Sequence, residues 1–160
     1  MQDYITTYTK KHFTIMEPEM ADIDINDIAH ALSLMTRANG HFSQFYSVGQ
    51  HSVGCAYEAL ERGYSARVVL GCLLHDGSEA YMADITRPLK QHMSAYLVAE
   101  EKLQNMIFEK FLGLCPSEEE MAQIKSVDDA MLFHEFKCFM NEELDIPEHE
   151  ILTRPAFSTK

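Results

Sequence analysis

A chain of 160 residues is long enough for one domain with a sizeable core, and 46% hydrophobic with 24% charged residues is an ordinary globular composition. The net charge of -12 excludes a nucleic-acid polymer or an anionic membrane as a partner reached by electrostatic steering. A small anionic substrate then requires a metal or a local basic pocket to offset the field.

Four scattered cysteines (Cys55, Cys72, Cys115, Cys138) form no CxxC pair, so a disulfide framework is not expected and a reducing cytoplasm fits. The opening MQDYITTYTKKHF has no apolar signal-peptide region. No apolar run approaches the roughly 18 residues that span a bilayer. A soluble cytoplasmic chain is expected.

Residues 1–20, rich in Thr and Tyr, read as an extended or looped lead-in. Helical periodicity starts at DINDIAHALSLMTRA, with Ile25, Ile28, Ala29, Leu32 and Met35 on one face. Asn39-Gly40 opens a connection. Ser47 and Gln50 have capping-box spacing for a second helix. Its inward stripe runs through Val48, Ser52, Cys55, Ala56, Ala59 and Leu60, with Glu58, Glu61 and Arg62 outward. Gly63 ends it, and Ser65 caps a third helix expected to run unbroken through SARVVLGCLLHDGSEAYMA. Residues 92–112 form an amphipathic helix, Ser117 and Glu120 open another capping box and a last long helix, and residues 144–160 read as an irregular tail. Without strands, repeats or low-complexity tracts, the expectation is one all-α domain over 1–160, a bundle of five to six helices.

The chemistry-bearing residues fall on inward stripes. His51 lies one turn from Val48 and from Cys55, His75 shares the stripe of Val68 and Cys72, and Asp128 lies one turn beyond Ile124. Glu79 is i+4 from His75 and i+3 from Asp76, within reach of the same space. A buried carboxylate is costly unless paired or metal-bound. Singly, each has a bland explanation: a core histidine, a cap at Asp76, an Asp128–Lys125 pair. Together, two imidazoles and two carboxylates from three helices make a site for one divalent metal, Mn, Co, Mg, Zn or Fe. Arg37 is either a phosphate ligand or a surface arginine at a helix C-terminus. Glu135, two turns beyond Asp128, is either an outer support of the site or structural.

His51, the His75-Asp76 dipeptide and Asp128 resemble the H…HD…D signature of the HD-domain metal-dependent phosphohydrolases, an all-α superfamily. FYSVGQHSV, HDGSEAYMADITRPLK and IKSVDDAML are similar to blocks of its branch related to bacterial and phage 5'-deoxynucleotidases, over roughly residues 20–140. The resemblance implies that His51, His75, Asp76 and Asp128 hold one metal. It makes Glu79 the catalytic carboxylate that orients or deprotonates the attacking water, and Arg37 a catalytic residue on the substrate phosphate. Asp84 then approaches the sugar 3'-hydroxyl, and His41 is a second phosphate candidate.

The implied function is phosphohydrolysis of a small nucleotide, preferentially a deoxynucleoside 5'-monophosphate, by attack of a metal-bound water on phosphorus. A deoxynucleoside triphosphate triphosphohydrolase and a non-catalytic nucleotide- or metal-binding module are the alternatives. The resemblance, with the Met- and Phe-rich MLFHEFKCFM of the last helix, also implies a homo-oligomer, a dimer first; the competing account of that segment is a central core helix. Gly77 stands where relatives often carry Ala, which is expected to loosen the helix after the ligands, and Thr86 replaces a common Pro beside Asp84.

Overall fold

The computed structural model describes residues 2–154, and these form an all-α bundle with one minimal strand pair at its start. The expected lead-in folds back on itself. β1 (Ile5–Thr6) pairs antiparallel with β2 (His12–Phe13), Ile5 opposite Phe13. Two-residue strands are too short to show alternation, which is why TTYTKKHF carries no strand signal. Phe13 anchors the hairpin, fully buried and stacked on Tyr81 with ring centroids 4.0 Å apart.

α1 (Ile25–Leu34) starts at Asp24, whose side chain accepts from the Asn26 amide. Its buried stripe is narrower than expected. Ile28 and Leu32 pack inward while Ile25 and Ala29 are exposed, bordering an apolar groove towards the next helix. Asn39 and Gly40 turn the connection with φ 52° and 78°, and an isolated bridge joins Thr36 to Ser47. α2 (Val48–Glu61) then begins on the full Ser47–Gln50 capping box. It packs on α3 (Ala66–Leu74), capped by Ser65, and both pack on α7 (Glu118–Met140), which opens on the Ser117–Glu120 box. Cys55, Val68, Cys72, Ile124, Val127 and Met131 form the core where these three meet.

Two positions of α2 reverse the expected pattern. Leu60 is 58% exposed, whereas Glu58, expected to face outward, is fully buried. The tail explains it. Glu58 accepts from the amides of Leu152 and Thr153 at 2.8–3.1 Å and 2.9 Å, and from the Thr153 hydroxyl at 2.7 Å, while Arg62 Nε donates to it at 3.0 Å. The tail, irregular as expected through Arg154, is thus strapped across α2; its part beyond Arg154 lies outside the described residues.

Burial alone would raise the Glu58 pKa, but these donors hold it below the ordinary 4.5. A carboxylate with a lowered folded pKa contributes stability that is present above its unfolded value and lost as pH falls through the folded one. Glu58→Ala is therefore expected to cost about 2 kcal/mol near neutral pH. In denaturant unfolding, the margin of the wild-type chain over this variant is expected to shrink as pH drops below 4.5.

The expected continuous third helix breaks. α3 ends at Leu74, and over residues 75–78 the hydrogen bonds tighten to i→i−3, Gly77 N to Leu74 O at 2.8 Å and Glu79 N to Asp76 O at 3.0 Å. α4 (Glu79–Met82) follows. Gly77 suits this turn, since a Cβ there would lie 3.0 Å from the Leu74 carbonyl. It is a fit to the turn rather than the loosening expected of it. Gln104 of the long helix α6 (Ser94–Leu112) secures the break from outside, donating to Leu74 O at 2.8 Å and accepting from Ser78 N at 3.0 Å. The short α5 (Arg87–Lys90) lies between α4 and α6.

The apolar end of α7 turns inward within the same chain. Phe139 packs with Phe42 and Tyr46 at centroid distances of 5.1 and 5.0 Å, and Phe133 is also buried. MLFHEFKCFM is therefore largely intramolecular core, and its composition does not by itself argue for an oligomer. No helix among the described residues is long and apolar enough to cross a membrane.

Candidate metal centre

The break after α3 faces His75 and Asp76 towards α2 and α7. His51 from α2, His75 at the C-cap of α3, Asp76 in the tightened turn and Asp128 from α7 converge. Asp128 Oδ1 lies 2.9 Å from His51 Nε2 and 3.4 Å from His75 Nε2, and Asp76 Oδ2 lies 3.8 Å and 3.3 Å from the same two nitrogens. All four residues that the sequence nominated as ligands are thereby brought together. The Asp128–Lys125 pair does not form; Lys125 binds Asp129 at 2.5 Å instead.

The tautomers follow from the partners. His75 Nδ1 lies 2.5 Å from the Cys72 carbonyl and His51 Nδ1 lies 2.5 Å from Glu135 Oε1, and both oxygens only accept. Each Nδ1 therefore carries a proton, and each Nε2 is the nitrogen offered to the centre. His75 Nε2 is buried with no hydrogen-bond partner among the described residues. A neutral Nε2 facing a carboxylate oxygen sets lone pair against lone pair, so the centre needs a positive charge there, a proton or a metal ion.

The electrostatics agree. Burial disfavours the charged imidazoles, but Asp76 and Asp128 overcome it at His75, pushing its pKa up to about 10. At His51, burial and Arg37 oppose protonation, yet Glu135 and Asp128 still raise the pKa. Asp128 is half-buried, and both imidazoles hold its pKa well below the ordinary carboxylate range. The donor set, two imidazole nitrogens with carboxylate oxygens around an unpartnered Nε2, fits a divalent cation.

Arg37 is neither a surface residue nor a free arm. It is buried, its Nε donates to Glu135 Oε2 at 3.0 Å, and Nη1 lies 3.6 Å from Asp76 Oδ2. Glu135, fully buried, thus holds His51 on one oxygen and Arg37 on the other. The sequence left its role open because the partners are 84 and 98 residues away.

Glu79 is 7% exposed beside the cluster, with Oε2 unpartnered among the described residues. Burial, then the charges of Asp76 and Asp84, raise its pKa well above the ordinary value. Asp84, half-buried, is raised mainly by burial against the pull of Arg37. It follows Ala83, held at φ 114° and ψ 162°, a conformation disfavoured for a side chain, with the Tyr96 hydroxyl donating to its carbonyl at 2.9 Å. His41 is exposed at the end of the Ala38–Gly40 turn, and no hydrogen bond or ion pair among the described residues ties it to the cluster.

Two neighbours of the centre lie outside the expected set. Cys55 Sγ lies 3.5 Å from His51 Nε2, and His51, Cys55, His75 and Asp128 each offer a donor atom within 4.8 Å of all the others. This cluster is able to hold a metal ion. The signal was present in the i+4 spacing of His51 and Cys55. Arg87 of α5 stands 60% exposed at the rim, with Nη2 3.0 Å from Asp129 Oδ1 and 3.4 Å from Asp128 Oδ2.

No family model matches the chain. Over 113 residues it is 42% identical to the uncharacterized protein YfdR of Escherichia coli K12, an alignment covering 71% of this chain and 60% of that protein. Over 106 residues it is 30% identical to an uncharacterized protein of Rhodobacter capsulatus, covering 63% of this chain and 54% of the other. The chain therefore spans between about half and three-fifths of the length of these curated relatives.

Proposed function

We propose that this chain is a metal-dependent phosphohydrolase of the HD type acting on a small nucleotide, preferentially a deoxynucleoside 5'-monophosphate, and releasing phosphate. The observation that carries this reading is the convergence of two Nε2 atoms, each fixed by an Nδ1 hydrogen bond, on Asp128 and Asp76 beside an unpartnered Glu79 carboxyl.

When bound there by His51, His75, Asp76 and Asp128, a divalent cation supplies Lewis acidity that activates water and neutralises phosphoryl charge. Glu79 Oε2, unpartnered beside the ligands among the described residues, takes the proton from the attacking water. Oxygen–phosphorus bond formation is matched by loss of the bond from phosphorus to the sugar oxygen, which leaves with the proton that Glu79 took from the water. Arg37 keeps its charge through Glu135 and Asp76 and sets positive potential beneath the phosphoryl group. Exposed Arg87 adds a cation at the rim, a better-placed phosphate candidate than His41.

The same reading includes a cytoplasmic setting, in keeping with four free cysteines, and a homo-oligomer. The latter is favoured by Phe45, Val53, Tyr57 and Leu60, exposed together on or beside the outer side of α2.

The test is a screen of nucleoside mono- and triphosphates against Mn, Co, Mg, Zn and Fe with products identified. Orthophosphate from dAMP is expected; tripolyphosphate from dATP would replace the substrate assignment, and no turnover with either class would refute it. Glu79→Gln is expected to lower turnover by about 10²–10⁴-fold while bound metal, measured by elemental analysis, is unchanged.

A further inference from the structure

We infer that Cys55 is itself a ligand of the metal centre, supplying a sulfur donor that biases the site towards zinc or cobalt and away from magnesium. This rests on the metal-binding reading above and goes beyond it, since the ligand set expected from sequence contains only nitrogen and oxygen.

The geometry carries it. Sulfur at about 2.3 Å and nitrogen at about 2.0–2.1 Å on one tetrahedral ion lie about 3.6 Å apart. Cys55 Sγ and His51 Nε2 are 3.5 Å apart. Two donors bound at about 2.0–2.1 Å on such an ion lie about 3.4 Å apart; His75 Nε2 and Asp128 Oδ1 are already 3.4 Å apart, while His51 Nε2 and Asp128 Oδ1, now hydrogen-bonded at 2.9 Å, separate by about half an ångström to admit it. The donor atoms of Cys55, His51, His75 and Asp128 all fall within 4.8 Å of one another, a group able to hold one ion, and Asp76 Oδ2, 3.3 Å from His75 Nε2, stands beside them as a further donor.

A cysteine that merely fills core space has no need to meet the coordinating edge of an imidazole. Cys55 does pack on Val68, Cys72, Ile124 and Met131, but its sulfur is nearer His51 Nε2, at 3.5 Å, than His51 Nδ1, at 4.0 Å. The second sign of a ligand is His75 Nε2, buried on the facing side of the same cluster and making no hydrogen bond among the described residues although two carboxylate oxygens lie 3.3 and 3.4 Å away. His51 and Cys55, one turn apart on rigid α2, present their donors together. Thiolate is a soft donor that suits zinc or cobalt, whereas magnesium demands oxygen and retains its waters.

The decisive experiment is the absorption spectrum of the metal-stripped full chain titrated with Co2+. Visible ligand-field absorption reports cobalt in the centre, and a near-ultraviolet sulfur-to-cobalt charge-transfer band reports the thiolate bond. The wild-type chain is expected to show both; Cys55→Ser keeps the visible absorption and loses the near-ultraviolet band, and Cys72→Ser keeps both. Visible absorption without the charge-transfer band in the wild-type chain, or a band that survives in Cys55→Ser, overturns the Cys55 assignment and leaves the metal centre standing. No visible absorption at all overturns both. X-ray absorption at the cobalt edge of the wild-type chain decides the same point without a substitution: a sulfur neighbour supports the assignment, and its absence overturns it.

Discussion

Replacing Glu135 with alanine is expected to cost about 3–5 kcal/mol of stability in the metal-free chain, the loss associated with removing one partner of a buried ion pair. Glu135 is fully buried and holds two groups at once, His51 Nδ1 at 2.5 Å and Arg37 Nε at 3.0 Å. Its removal leaves the Arg37 guanidinium buried with Asp76, at 3.6 Å, as its one close counter-charge among the described residues. It also releases the ring of His51, whose orientation depends on the Nδ1 bond. Metal affinity is therefore expected to fall by about 10–100-fold, the effect typical of losing a carboxylate behind a histidine ligand. Glu135→Gln keeps an acceptor and is expected to lose less on both counts. Denaturant unfolding and metal titration of the two variants measure the two effects separately; a wild-type affinity in Glu135→Ala would remove Glu135 from the support of His51.

Asp128 presents the second large effect, and its weight falls on metal binding. Its Oδ1 is the atom on which both Nε2 nitrogens converge, at 2.9 and 3.4 Å, and Asp128→Ala removes the only α7 donor in the cluster of His51, Cys55, His75 and Asp128. A ligand that binds only the folded chain stabilises it by about 2.7 kcal/mol at 100 times its dissociation constant. The wild-type chain is expected to gain that much from its metal, and Asp128→Ala none at the same concentration. Asp129→Ala is the control. Asp129 pairs with Lys125 and Arg87 rather than with the imidazoles, and its loss is expected to leave the metal-dependent gain intact.

The helices and their starts were legible because capping chemistry is local. Ser47–Gln50, Ser65 and Ser117–Glu120 cap where the spacing says they should. The convergence of His51, His75, Asp76 and Asp128 was legible because stripe position fixes which face a residue takes. What stayed hidden depends on partners distant in sequence. The end of α3 at Leu74 is secured by Gln104 of α6, so the periodicity of residues 65–83 gave no sign of it. Glu58 looked like a solvent-facing glutamate because the amides that bury it come from Leu152 and Thr153. Arg37 was undecided between phosphate and solvent because Glu135, its actual partner, lies 98 residues on. Cys55 was visible on the stripe of α2, yet its apolar neighbours made it look like core alone.

The most direct test of the account is a calorimetric titration of the metal-stripped wild-type chain with a divalent cation, run beside Asp128→Ala. One ion bound per wild-type chain, with binding abolished in the variant, is the expected result. No saturable binding by the wild-type chain, or undiminished binding by Asp128→Ala, would contradict it.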